Sequence, residues 1–258
     1  MTTQELLQSI RTGFETILAG KLTGIYVHGS LAFGCFQPDK SDIDFIAAVR
    51  EPLSREEKRK LLSLLLELEA YAPPKGLEMS VVNEKYCRSF THPCPFELHY
   101  SMAHRAWAVR DPDDYCANMN GTDPDLAAHF TVIRAVGITL CGTPVHELFG
   151  EIPAHDYLSS LRFDVENAAE GIRTAPVYII LNLCRIAAYR QDGAVISKKA
   201  GGEWGLVHLP ERFHPLISSA LNAYAAKQPY QPNDKTEQAF AAYMHELIFA
   251  ENPPQSLQ

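Results

Sequence analysis

Residues 28–45 read HGSLAFGCFQPDKSDIDF: a Gly-Ser pair, a loop carrying Gly34 and Pro38, then Asp-Ile-Asp running into the apolar FIAAV. Ionised carboxylates repel one another and resist burial, so an acidic pair beside apolar residues either faces water or holds a cation. If a strand begins at Asp42, the pleat sends Asp42 and Asp44 to one face and Ile43 and Phe45 to the other. Upstream, GIYVHGS is a short β-branched and aromatic run ended by Gly-Ser, which reads as a second strand. An Asp-x-Asp alone turns up by chance in about every second chain of this size. Gly-Ser, a fixed gap and Asp-x-Asp together are expected on the order of 0.002 times per chain at average residue frequencies.

Outward from that stretch, Gln4 to Leu22 carries Leu6, Leu7, Ile10, Phe14, Ile17 and Leu18 at helical spacing, one apolar stripe. Ser54 followed by Glu57 resembles a capping box, and SREEKRKLLSLLLELEAYA is helical up to Pro73-Pro74. LEMSVVN, Leu77 to Asn83, alternates as a third strand, with Leu77, Met79 and Val81 on one face and Glu78 and Ser80 on the other. The first third therefore reads helix, strand, strand, helix, strand. Beyond Pro112, DLAAHFTVIRAVGITLCG reads as one helix up to Gly142, followed by a proline-containing connection. From Asp156 onward YLSSLRFDVENAAEG, PVYIILNLCRIAAYRQ, HPLISSALNAYAAKQ and DKTEQAFAAYMHELIFA are all helical runs. The expectation is an α+β protein: residues 1–153 as a mixed sheet with flanking helices, residues 154–258 as an all-α helical bundle.

The chain of 258 residues carries a formal net charge of -8. That balance argues against a general affinity for nucleic-acid backbone and favours a cationic small-molecule partner. No apolar run approaches the roughly 20 residues of a membrane span, and MTTQELLQSIRTGFE lacks the charged-then-apolar layout of a secretory signal. The reading is a cytoplasmic protein with neither nucleic acid nor membrane as partner. Six cysteines, at 35, 87, 94, 116, 141 and 184, follow no repeated spacing and are read as reduced thiols. Cys87, His92, Cys94 and His99 have soft-ligand character, but their spacing matches no compact zinc module.

Glu78 stands near the start of its strand, as Asp44 does. If those strands are neighbours, Asp42, Asp44 and Glu78 converge on a patch that calls for a divalent cation. Mg²⁺ is the oxygen-seeking ion that shares carboxylates with phosphates. Gly29 lets backbone approach a ligand closely, and the Ser30 hydroxyl with nearby amides favours an anion such as a triphosphate. The carboxylates need the metal, and the metal needs the phosphates.

Gly29-Ser30, Asp42-x-Asp44 and a later strand Glu resemble the nucleotidyltransferase superfamily that shares the DNA polymerase β-like core. FEL at 96–98, LCGTPVHELF at 140–149, LNLCRIAAY at 181–189, ISKKAGGEW at 196–204 and LPERFHPLI at 209–217 extend the resemblance to the aminoglycoside (3'')(9) adenylyltransferases over nearly the whole chain. The resemblance implies an N-terminal nucleotidyltransferase domain and a C-terminal helical domain with ATP and Mg²⁺ between them, and transfer of AMP to an antibiotic hydroxyl. It implies that Asp42 and Asp44 bind Mg²⁺ and that Glu78 is the base for the acceptor, a further metal ligand, or both. It places Gly29, Ser30, Ser41, Arg185 and Lys198 around the nucleotide. The acceptor would be a small hydroxylated cation, an aminoglycoside or spectinomycin. Family members that accept streptomycin have a tryptophan a few residues beyond Phe-Glu-Leu, where ungapped matching here gives Ala103. They also have an acidic residue just before the helix matching LNLCRI, where this chain reads RTAPVY. Spectinomycin is thus the favoured acceptor. The alternatives are a nucleotidyltransferase with a protein or metabolite acceptor, and a nucleotide-binding sensor without catalysis.

Overall fold

The computed structural model describes residues 1–226 and 228–249. The chain divides into two compact units, Met1–Asp156 and Tyr157–Gln258.

In the first unit, α1 (Thr3–Leu18) opens with a capping box in which Thr2 and Glu5 exchange hydrogen bonds. Strand β1 (Leu22–Val27) leads through His28 into a single turn, α2 (Gly29–Ala32), and a loop brings the chain to β2 (Ile43–Val49). Parallel neighbours need a crossover, and α3 (Arg55–Leu68), capped by Ser54 and Glu57, supplies it before β3 (Leu77–Asn83). Then come α4 (Glu84–Arg88), the short strands β4 (Cys94–Phe96) and β5 (Leu98–Tyr100), α5 (Arg105–Arg110), α6 (Pro112–Asn118) and β6 (Gly121–Asp123). The unit is completed by α7 (Leu126–Val136), β7 (Ile138–Gly142) and α8 (Val145–Leu148).

The main sheet has the order β5-β3-β2-β1-β7, with β2 and β3 parallel and the other neighbours antiparallel. Strands β4 and β6 form a separate ribbon. One face carries Ile25, Val27, Phe45, Ala47, Leu77, Met79 and Val81, closed over by Leu6, Ile10 and Phe14 of α1 and Leu61, Leu62 and Leu65 of α3. The rings of Phe14 and Phe45 meet edge to face at 5.6 Å. The other face carries Tyr26, Ile46, Ala48 and Val82 beneath Leu126, Phe130 and Ile133 of α7 and Leu148 of α8.

The first third matches the expected order of elements, but the helix expected to continue to Gly142 does not. α7 stops at Val136, where the Gly137 amide caps it by donating to the Ile133 carbonyl at 2.8 Å. Residues 138–142 turn back as β7 along the outer side of β1, pairing Tyr26 with Thr139. An unpaired β1 edge would present a row of open amides and carbonyls, and β-branched Ile138 and Thr139 suit the strand that covers it. Strands β4, β5 and β6 were also unforeseen; at three residues each they are too short to show alternation.

In the second unit, the single helix expected from Tyr157 is two, α9 (Ala154–Phe163), which begins just ahead of the unit, and α10 (Ala168–Thr174). They are followed by α11 (Pro176–Asp192), α12 (Lys198–His208), α13 (His214–Tyr224) and α14 (Asp234–Phe249). α12 escaped the sequence reading because Gly201, Gly202 and Gly205 lower helix propensity. They have a packing reason: a Cβ on Gly201 would stand 2.8 Å from the Arg185 Cα, and one on Gly205 2.9 Å from the Cys184 sulfur. The bare backbone of α12 thus lies directly on α11.

Candidate active site

The parity of β2 and β3 builds the site. Asp44 is paired with Glu78 in the parallel register, and Asp42 lies two residues before Asp44 on the same face. The two strands are neighbours, so the three carboxylates offer oxygens that all lie within 4.8 Å of one another. All three are half-buried. Burial pushes the Glu78 carboxyl above its ordinary value; His129 opposes the shift, while Asp42, Asp125 and Asp123 add to it. Three anions this close, partly removed from water, are costly unless a cation joins them.

The Gly-Ser turn sits directly over this cluster. The His28 amide donates to the Asp44 carbonyl at 2.9 Å, extending the β1–β2 ladder by one rung and fixing where the turn begins. Gly29 then adopts φ +60, and a Cβ there would fall 1.8 Å from Asp44 Oδ2. Only glycine allows both the left-handed turn and the carboxylate beneath it. The next side chain, Ser30, has a buried hydroxyl with no hydrogen-bond partner. Ser41 instead serves the intervening loop: its hydroxyl accepts from the Gln37 amide at 3.0 Å, and its own amide donates to the Gln37 carbonyl.

Polar character continues along the same face. Ser80, two residues beyond Glu78, bonds to His99 Nδ1 at 3.0 Å across the β3–β5 pair. Burial, with repulsion from His104 and His129, lowers the His99 pKa to about 4, so the ring is neutral. On α7, His129 Nε2 lies 3.3 Å from Asp125 Oδ2. Burial opposes a charge on His129, but Asp125, aided by Glu78 and Asp123, outweighs it and lifts the pKa to about 10. His28 goes the other way, held well below its ordinary value by burial and by His129. Sequence reading missed His28, Asp125 and His129, and weighed His99 only as a soft ligand beside Cys87, His92 and Cys94. Asp125 and His129 sit one helical turn apart in DLAAH, but no spacing rule links a helix to a strand end so far along the chain.

Arg185 and Lys198 belong to the second unit. Arg185, on α11, has Nη2 3.8 Å from Asp164 Oδ2 and a buried Nε without a hydrogen-bond partner. Lys198 opens α12 with its ammonium 4.6 Å from the centroid of the Tyr178 ring. Among the described residues, the carboxylate triad is the group of His, Cys, Asp and Glu side chains suited to a metal ion. Cys87 and Cys94 are buried thiols whose pKa burial raises.

The donor set passes a chemical test for Mg²⁺ and a triphosphate. It offers hard oxygens only, beside an orphaned hydroxyl and a turn that a side chain would block. Such an arrangement can hold a nucleotide by its phosphates and leave a carboxylate free to take a proton.

The chain superposes with a TM-score of 0.77 on a spectinomycin adenyltransferase from Enterococcus faecialis solved with ATP and spectinomycin, at 19% identity over 96% of this chain and 99% of that one. The two chains thus share one fold. The sequence model of the aminoglycoside adenylyltransferase C-terminal domain matches residues 147–247. A spectinomycin 9-adenylyltransferase of Campylobacter jejuni is 27% identical over 239 residues, 91% of each chain. An aminoglycoside (3'')(9) adenylyltransferase of Klebsiella pneumoniae is 25% identical over 220 residues, 83% of this chain and 82% of that protein. The chain is thus similar to the aminoglycoside adenylyltransferases along most of its length, and residues 147–247 match their C-terminal domain.

Proposed function

We propose that this chain transfers the adenylyl group of Mg-ATP to a hydroxyl of spectinomycin, in the cytoplasm where ATP is supplied. The observation that carries the reading is the convergence of Asp42, Asp44 and Glu78 beneath a Gly29-Ser30 turn whose serine hydroxyl is buried and unpartnered.

Bound Mg²⁺ would supply charge neutralisation at the phosphates, held by Asp42 and Asp44 with Glu78 beside them. Ser30 donates its hydroxyl hydrogen to a phosphate oxygen, and Gly29 leaves room for that close approach. Glu78 accepts the proton of the attacking hydroxyl while the acceptor oxygen forms its bond to the α-phosphorus. The bond from that phosphorus to the bridging oxygen breaks, and pyrophosphate leaves with the electron pair. Burial that raises the Glu78 pKa makes it a better proton acceptor than an ordinary glutamate.

Spectinomycin is favoured by the relatives and by the fold neighbour named for it. Position 103, in the turn after β5, is an alanine and offers no indole for a streptomycin-type acceptor. The test is pyrophosphate release with Mg-ATP and either spectinomycin or streptomycin, in the wild type and in Glu78→Gln. Spectinomycin should drive release and streptomycin should not. Glu78→Gln should bind Mg-ATP in calorimetry yet turn over roughly 10²-fold more slowly. Large loss of nucleotide affinity would make Glu78 a metal ligand, and release with streptomycin alone would overturn the acceptor.

A further inference from the structure

The Gly29-Ser30 turn is buttressed from behind. His28, which precedes it, is only 5% exposed. Its ring lies against that of His129 on α7, with centroids 4.6 Å apart and planes inclined by 39°. His129 is tethered one helical turn back by Asp125, and α2 and α7 pack together at this point. Neither imidazole has a part in the proposed transfer. Both are costly to desolvate, and His129 Nδ1 is buried with no hydrogen-bond partner. Two aliphatic side chains could fill the same space without desolvating a ring, though they would forgo the His129–Asp125 pair. A planar ring held at a fixed angle offers what aliphatic packing does not: it restricts the rotation of its neighbour.

We infer that His129 is a positioning residue for the phosphate turn: its ring, tethered by Asp125, packs at a tilt against His28 and holds Gly29 and Ser30 where the triphosphate is received. The backbone at His28 is tied to Asp44 through its amide and accepts from the Ala32 amide through its carbonyl, so the His28 side chain is a third tie at the entry to the turn. Through it, a helix that touches no phosphate governs how well Ser30 is presented. This inference rests on the proposal that Ser30 binds phosphate.

The experiment measures Mg-ATP affinity by calorimetry, without acceptor, for Ser30→Ala, His28→Ala, His129→Ala, His129→Phe and the double His28→Ala/His129→Ala variant, with thermal melts alongside. Each histidine-to-alanine change should weaken binding about fivefold, and the double variant no more than about fivefold, because the two rings act as one unit. His129→Phe keeps the ring and should bind within about twofold of wild type. If His129→Ala does not fold, His129→Gln, which removes the ring and keeps a polar group, replaces it. Multiplicative losses in the double variant, wild-type affinity in His129→Ala, or equal weakening in His129→Phe would each overturn the positioning role. Wild-type affinity in Ser30→Ala would instead remove the phosphate reading on which the role depends.

Discussion

The two faces of the five-stranded sheet are made by the same strands, yet they are unlike at the ends of β2 and β3. On the face under α1 and α3, Phe45 and Leu77 continue the apolar rows to the very start of each strand. On the face under α7, Tyr26, Ile46 and Val82 are apolar, but the first rungs are Asp42, Asp44 and Glu78. The helix above that face covers the later rungs, leaving the acidic rungs half-buried. Apolar and acidic character are thus separated by residue parity along one strand: Phe45 lies in the core, and Asp44, one position earlier, joins the carboxylate cluster.

That contrast is broken most forcefully on the acidic side. Replacing both Asp42 and Asp44 by Asn should cut turnover by about 10³ or more, through loss of the metal's charge stabilisation. The melting temperature should hold or rise, because the substitution also removes repulsion between neighbouring anions. Initial rates and thermal melts on the same preparation check this; a fall in melting temperature matching the loss of rate would make the carboxylates structural.

The apolar side predicts the converse. Phe45→Ala should lower stability by about 3 to 5 kcal/mol, the usual cost of emptying a buried aromatic site. Turnover per folded molecule should stay near wild type. Urea unfolding and active-site-normalised rates test the pair of outcomes, and a stable but inactive Phe45→Ala would erase the distinction between the faces.

The smallest effect locates the boundary between the two characters. Ser80→Ala removes the partner of His99 and should cost about 1 kcal/mol, a typical net hydrogen bond, with turnover changed no more than a few-fold. Since the His99 pKa is about 4, this cost should be the same at pH 6 and pH 8. A loss of turnover comparable to that of Glu78→Gln would extend the reacting patch by one rung.

How much of this was legible follows from the same parity. Asp42, Asp44 and Glu78 could be assigned to one face from spacing alone, because the strand period is two and the residues are strongly polar. Their meeting required β2 and β3 to be neighbours, which no local pattern states. Strand β7 was hidden because Ile138–Gly142 is an apolar run continuous with the helix before it, and only the open edge of β1 gives it a partner. α12 was hidden for the opposite reason, since its glycines argue against a helix until the backbone of α11 is seen lying on them. The His28–His129 contact joins positions that sequence cannot bring together at all.

Gly29 carries a consequence for inheritance. A β-carbon at that position would strike Asp44, so any amino-acid replacement there disturbs the turn and the carboxylate below it at once. In a selection on antibiotic, position 29 should tolerate almost no replacement although glycine has no functional group of its own. A survey that ranks positions by the reactivity of their side chains would pass over the residue with the least room to vary.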